Sequence, residues 1–476
     1  MKKCFFVIAL FVLPLLCWGQ DNEIRAVWLT TLNGLDWPRT KATNAASMER
    51  QKKELTDMLD KLKAVNINTI LFQTRIRGSV VYPSELQPWD HCLTGTPGRS
   101  PGYDPLRFAI DECHKRGMEC HAWVVTLPLG KWNENGCRQM RKKYPQVVKR
   151  VGENGFLNPE DPRTPAIVAE ICGEIVEKYD VDGIHLDYAR YPDGWTIRVS
   201  RPQGRQYITQ LVRAIHDRVK AVRPEVKMSC SPVGKFKDLT RYSSRGWNAF
   251  DKVCQDAQGW LRDGLMDQLY PMLYFKENNF FPFAIDWAEQ RQGKEVAAGL
   301  GIWFLDPREG NWKIGEVMRQ LNVIRQLGLG QCHFRARFLI DNHQGLYDYL
   351  RVFNFPECWP DGSQFPMSRV PYPADEEPSD VPTLPDVSTQ KAARGGFPLL
   401  RSNGDPVQLT SVPSGLDARA ILVTSLTGNR VASLPWNGGN VSVASLPDGA
   451  YTLSSVSKNG ATHRLAMLMV KRKLKK

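Results

Sequence analysis

The sequence predicts a (β/α)8 barrel followed by a small all-β sandwich. Three observations lead there. Eight strand-like runs alternate with amphipathic segments between residues 24 and 353. The first strand-to-helix turn, Leu32-Asn33-Gly34-Leu35-Asp36-Trp37-Pro38, lacks the GxGxxG of the competing open, doubly wound sheet. A proline-rich stretch with an acidic patch, 366–396, then gives way to short alternating runs broken by Gly, Asn, Asp and Pro.

The strand candidates are 24–31, 68–74, 118–126, 181–188, 226–232, 266–275, 296–303 and 330–338. Between the first two, Leu55, Met58, Leu59, Leu62 and Val65 recur at helical spacing. Asp104-Pro105 reads as an N-cap followed by proline at the first helical position, and Gly117 closes that helix. Thr164-Pro165 opens the next helix in the same way, and 313–327 and 345–353 supply the last two. The loops at 75–103 and 127–163 are long, and long loops on one face of a barrel build a cleft. The barrel is expected over 20–365, the linker over 366–396 and the sandwich, with runs at 420–423, 440–443 and 450–456, over 397–476.

The chain opens with Lys2 and Lys3 and an apolar run from Cys4 to Trp18, too short to span a bilayer. This is the pattern of a signal peptide, with cleavage expected after Gly19. Lipidation at Cys17 is disfavoured, because bulky Leu16 stands where a small residue is wanted. No later stretch is apolar enough to cross a membrane. An exported protein, in the periplasm or at the cell surface, is the expectation. Nine cysteines follow the leader, an odd number at irregular spacings with no CxxC. That argues against a disulfide framework or a zinc site and for small buried thiols. The net charge of +13 includes the tail Lys471-Arg472-Lys473-Leu474-Lys475-Lys476 and suits an anionic polymer, a membrane surface or merely a solvated basic face. No nucleic-acid module signature is present. GxSxG, HExxH and Walker motifs are missing too. No metal and no cofactor are expected, and a monomer is.

The most informative segment is Tyr179-Asp180-Val181-Asp182-Gly183-Ile184-His185-Leu186-Asp187-Tyr188-Ala189-Arg190-Tyr191-Pro192. An apolar run ends in a carboxylate and then in aromatic and cationic side chains. Alternation along a strand puts Gly183, His185 and Asp187 on one face and Ile184 and Leu186 on the other. The apolar face suits the surrounding helices, which leaves His185 and Asp187 for the barrel mouth. Asp187 then stands at the carboxyl end of a barrel strand, where barrel enzymes keep their chemistry. His185 suits either a hydrogen-bonded structural histidine or a catalytic one. Cleavage of a glycosidic bond usually takes two carboxyl groups. Candidates for the second are Asp36, Glu85 and Asp306. Trp37, Trp123, Tyr188, Tyr191, Tyr270, Tyr274 and Trp303 gather at the same predicted end as rings on which sugars could stack. Arg75, Arg77, Arg190 and Arg335 could hold hydroxyls, a uronate or an N-acyl carbonyl, or equally pair with a nearby carboxylate.

At these residues the chain resembles the bacterial glycosyl hydrolase-like 10 family, exported glycosidase-like proteins built on (β/α)8 barrels. The resemblance runs over about 23–355. It rests on Glu23-Ile24-Arg25-Ala26-Val27-Trp28-Leu29, Asp36-Trp37-Pro38, Tyr82-Pro83-Ser84, Gly102-Tyr103-Asp104-Pro105-Leu106, His121-Ala122-Trp123, Leu157-Asn158-Pro159, Asp180 to Asp187, and Tyr270-Pro271, in that order. It implies hydrolysis of a glycan, with cell-wall or peptidoglycan polysaccharide as the leading substrate and Asp187 as a catalytic carboxylate. Family members often carry a second acid directly after the strand-four aspartate; Tyr188 stands there in this chain. That difference supports the alternative of a non-catalytic glycan-binding barrel. The segment Leu446-Pro447-Asp448-Gly449-Ala450-Tyr451-Thr452-Leu453 is similar to the β-sandwich sorting domains of Bacteroidetes secreted proteins.

Overall fold

The computed structural model describes residues 23–242, 244–355, 399–402, 405–409, 420–425, 430–436, 440–456 and 462–470. The expected leader and the whole of the expected linker lie outside the described residues. Eight parallel strands close into a barrel. They are β1 (Arg25–Leu29), β2 (Thr69–Arg75), β3 (Glu119–Val125), β4 (Gly183–Asp187), β5 (Lys227–Cys230), β6 (Gln268–Leu269), β7 (Glu295–Leu300) and β8 (Gly330–Phe334). Neighbours in space are neighbours in sequence. The ring closes where Arg25 of β1 faces Gln331 of β8 while Ala26 faces Thr69 of β2.

Each strand overlaps its expected window, with β2 and β7 each running one residue beyond it, at Arg75 and Glu295. The largest trimming is at β6, where 266–275 shrinks to two residues. Pro271 has no N–H to give the ladder, so regular pairing stops there. Met272 then resumes contact as isolated bridges to Val233 and Gly299.

The helices form where capping and periodicity agree. Asn44 caps Ala45–Lys63 through a reciprocal bond with Ser47, and Leu55, Met58, Leu59 and Leu62 form its buried stripe. Asp104 caps Pro105–His114, and Gly117 follows with φ 61°. Thr164–Lys178 and Arg201–Val222 flank β4, and Ile314–Gln326 and Leu346–Phe353 flank β8. Ile184 and Leu186 face this helical layer. Gly183 is needed at the start of β4, because a Cβ there would lie 2.5 Å from Nδ1 of His121.

The long loop after β3 carries a three-stranded flap, Pro128–Lys131, Val148–Val151 and Asn154–Leu157, with the helix Asn135–Lys143. Near the C-terminus a five-stranded sheet runs in the order Leu399–Ser402, Thr462–Val470, Gly449–Val456, Ala420–Ser425, Arg430–Pro435. A two-stranded sheet, Val407–Gln408 with Asn440–Val441, shares its core: Val407 and Val441 pack with Ile421, Val423, Leu453 and Leu468. The eight described cysteines are free and buried; Cys358 lies outside the described residues. Among the described residues no helix is long and apolar enough to cross a membrane.

The amino-terminal face of the barrel is stitched by side chains. Asp267, just before β6, accepts from the backbone N–H of Met228 and from Lys220 Nζ, both at 2.9 Å. Burial alone would raise its pKa, but these bonds prevail and hold it below the usual aspartate range. Folding therefore favours the ionised form. The stability it lends is present above about pH 4 and is lost as pH falls through the lower folded value. Asp267→Asn is expected to cost about 1 kcal/mol at neutral pH and progressively less in acid, as read by urea denaturation across that range.

Candidate active site

Asp187 ends β4, and the backbone around it is fixed first. Thr126, just past β3, donates its N–H (2.9 Å) and its Oγ1 hydroxyl (3.0 Å) to the carbonyl of Asp187. The chain then leaves the strand through Tyr188 at φ 58°, a conformation that costs a non-glycine residue roughly 1–2 kcal/mol. The turn returns something: the Tyr188 N–H reaches back to Asp187 Oδ1 at 2.8 Å. Ser231 Oγ donates to the same oxygen at 3.1 Å, and Trp123 Nε1 donates to Oδ2 at 3.3 Å. The carboxylate is thus oriented by three donors, within a residue that is buried as a whole, at 9% exposure. Burial raises its pKa above the usual aspartate value, against the Arg190 charge and these three bonds.

Beneath Asp187 lies His185. Trp28 Nε1 donates to its Nε2 at 3.1 Å, and indole can only donate, so the proton sits on Nδ1 and goes to Ser229 Oγ at 3.0 Å. The Tyr270 ring packs edge-on at 5.1 Å. Burial drives the His185 pKa well below the usual histidine value, with His121 adding to the effect. His185 is a neutral, doubly bonded floor for the mouth.

The wall is aromatic. Tyr274 meets Trp303 edge-on at 4.6 Å and also packs on Phe334 (5.5 Å) and Trp28 (6.3 Å). Its hydroxyl is buried and has no protein partner among the described residues. Burial, then the nearby Cys332 and Asp187, push that hydroxyl's pKa far up, so it stays protonated. Arg190 lays its guanidinium 4.3 Å from the centre of the Tyr188 ring and pairs with Asp193 at 3.0 Å.

The structure therefore brings together Asp187, His185, Trp123, Tyr188, Arg190, Tyr274 and Trp303. It puts the other candidates elsewhere. Asp36 is buried against Arg335 and also accepts from the N–H groups of Thr30 (2.8 Å) and Arg337 (2.9 Å), so both members of that pair tie the β1 loop to the segment after β8. Burial raises the Asp36 pKa, and Arg335 opposes it. Trp37 is buried in the outer core, on Phe72 at 5.8 Å, with its N–H on the Gln51 carbonyl; it offers no free face for a sugar. Arg75 is fully buried, its Nε on Gln87 Oε1 at 2.6 Å and its Nη1 on the carbonyls of Val125 and Thr126. Tyr270 is enclosed in the barrel interior with its hydroxyl on Gln268. The Glu85 side chain is 89% exposed and sits 3.7 Å from Lys178. That lysine ends the helix leading into the start of β4, so Glu85 lies towards the opposite end of the barrel from Asp187. Asp306 is a turn residue held by Arg308 at 2.6 Å, its pKa lowered to about 2.

Trp28, Ser229, Ser231 and Phe334 join the site without having been singled out in the sequence. Ser229 and Ser231 stand two apart across the end of β5, the spacing of one strand face, and that was the available signal. Removing the Ser231 hydroxyl takes a donor from the ionised carboxylate. Ser231→Ala is therefore expected to raise the pKa of the Asp187 carboxyl, as read from its carboxyl carbon shift in an NMR titration.

A sequence model of the family described as glycosyl hydrolase-like 10 matches residues 23–200 and 201–302, a stretch holding β1 through β7. The glycosyl hydrolase YngK of Bacillus subtilis is 29% identical over 392 residues, covering 72% of this chain and 74% of that protein. The glycosyl hydrolase DigH of Escherichia coli K12 is 31% identical over 336 residues, covering 62% and 75%. Among solved structures, the alpha-L-fucosidase isoenzyme 2 of Paenibacillus thiaminolyticus aligns with a TM-score of 0.46 at 15% identity, over 70% of this chain and 50% of that one.

Proposed function

Since this chain belongs to the glycosyl hydrolase-like 10 family and is a glycosidase, we propose that it is exported, cleaves a cell-wall polysaccharide, and uses Asp187 as a catalytic carboxylate. One observation carries the assignment of Asp187. It is the acid at the carboxyl end of a barrel strand that three neutral donors orient, beside rings suited to sugar faces. Asp36, Glu85 and Asp306 are placed elsewhere, the first locked on Arg335, the second beside Lys178 and the third held by Arg308.

The geometry suits the following chemistry. Ionised, Asp187 presents Oδ2 with a single donor on it and acts at the anomeric centre as nucleophile or as base toward water. Its donors fix the carboxylate before substrate arrives, so little reorganisation is needed when charge develops. Arg190, close enough to lower the Asp187 pKa, favours the ionised form. A carboxylic acid that protonates the leaving oxygen completes the reaction. Cell-wall glycan as the substrate accords with the basic charge of the chain and with the signal-peptide pattern at residues 1–19. The C-terminal sheets, similar in sequence to sorting domains, fit delivery to the cell surface.

The alternative is a glycan-binding barrel without turnover. Tyr188, a non-acidic residue directly after Asp187, is the observation in its favour. Incubation with intact peptidoglycan, peptide-free glycan strands and a polysaccharide panel separates the two. The wild type is expected to release new reducing ends from the glycan strands, and Asp187→Asn to lose roughly 10²–10⁴-fold of that rate. Glycan binding with no cleavage by the wild type on any of these would establish the lectin-like reading instead.

A further inference from the structure

We infer that Trp247 is a ring-stacking subsite that binds a pyranose of the glycan chain beyond the sugar held at Asp187. The inference rests on the reading of the barrel mouth as a glycan cleft and extends that cleft along the rim.

Indole rings are usually well buried. Trp247, on the loop after β5, is 49% exposed; among the described residues the only other large apolar side chains so exposed are Leu35 and Val431. Looseness does not explain the exposure, because both neighbours of Trp247 are pinned. The Gly246 N–H donates to Asp238 Oδ1 at 3.1 Å, and Nδ2 of the buried Asn248 donates to the same oxygen at 3.2 Å. Oδ1 of Asn248 accepts from the Asp251 N–H at 2.8 Å and caps the short helix Ala249–Lys252. Lys235 adds a third tie: its Nζ donates to the Arg245 carbonyl at 3.1 Å, and its own carbonyl accepts from the Ala249 N–H at 2.9 Å. The backbone is built on both sides of a ring that is left open to solvent. A ring held out in this way binds with little of the ordering cost that a mobile one would incur.

Its position relates it to the site. The Arg190 guanidinium lies 5.4 Å from the centre of the Trp247 ring and 4.3 Å from the centre of the Tyr188 ring. Arg190 is itself buried and is anchored by Asp193 at 3.0 Å. One fixed cation therefore separates a rim ring from the mouth ring next to Asp187. A single sugar at Asp187 cannot also stack on Trp247 across that guanidinium; a second sugar of the same chain can. The exposed indole offers a flat apolar face with a polar edge, which matches the C–H face and hydroxyl rim of a pyranose. The barrel is thereby suited to a chain with sugars on more than one subsite.

The test uses the full-length protein carrying Asp187→Asn, so that binding is read without turnover, and a ladder of peptide-free peptidoglycan glycan strands from disaccharide to octasaccharide in titration calorimetry. Affinity is expected to rise with length. Adding Trp247→Ala should weaken binding of the longer strands about tenfold and leave the disaccharide unchanged, while Trp247→Phe restores most of the loss. In the active protein the same substitution should raise KM on long strands with kcat unaltered. Equal binding of long strands with and without the Trp247 ring would overturn the subsite and leave the glycan cleft standing. Absence of binding to every strand by either protein would overturn the cleft and the subsite with it.

Discussion

The end of β3 is the point on which the site depends. There the sheet ladder runs out, and the carbonyls of Val125 and Thr126 need donors. Arg75 supplies them from a fully buried guanidinium that also bonds Gln87, with no carboxylate partner among the described residues. Burial lowers its pKa to about 10, which still leaves it charged at neutral pH. Held in this way, Thr126 grips the carbonyl of Asp187 twice. A cation buried among backbone carbonyls thus helps set the backbone that carries an acid in the mouth. Burying a lone charge is costly, and its persistence is understandable if the geometry at Asp187 is what it secures.

The molecule contains several buried carboxylates, and their partners separate their roles. Asp36 faces a guanidinium and two backbone N–H groups, and it serves as a tie between the two segments that meet where the barrel closes. Glu174 gathers Tyr82, Ser84 and the Glu85 N–H and fastens the long loop after β2 to the helix before β4. Asp187 is met only by neutral donors, with Arg190 acting at a distance. The neutral His185 beneath it keeps a second positive charge out of the mouth, because the Trp28 N–H occupies the nitrogen that would otherwise accept a proton.

The aromatic residues divide in a similar way. Trp37 and Tyr270 are spent on packing and have no exposed face, whereas Trp303 packs edge-on against Tyr274 and Phe334, which are tilted on each other near Asp187. Trp247 stands apart from both groups, exposed on a tied loop and linked to the mouth through Arg190.

All eight barrel strands were legible in the sequence, because a period of two and a period of 3.6 leave different apolar spacings. The same alternation puts His185 and Asp187 on one face of their strand. The caps at Asp104 and the helical stripe of Leu55, Met58, Leu59 and Leu62 were local, and local chemistry decided them. Loops carry no such period. Whether Arg75 turned inward or outward, whether the loop bearing Glu85 folded over the mouth or down against a helix, and whether Asp36 met a substrate or Arg335 were settled by contacts between residues far apart in the chain, Asp36 and Arg335 being 299 positions apart. The sequence by itself determined the barrel and the face on which its strand-four aspartate would stand. Only the tertiary structure decided which of the other acids, cations and rings would stand beside it, because that depends on which donors each finds when the ring of strands closes.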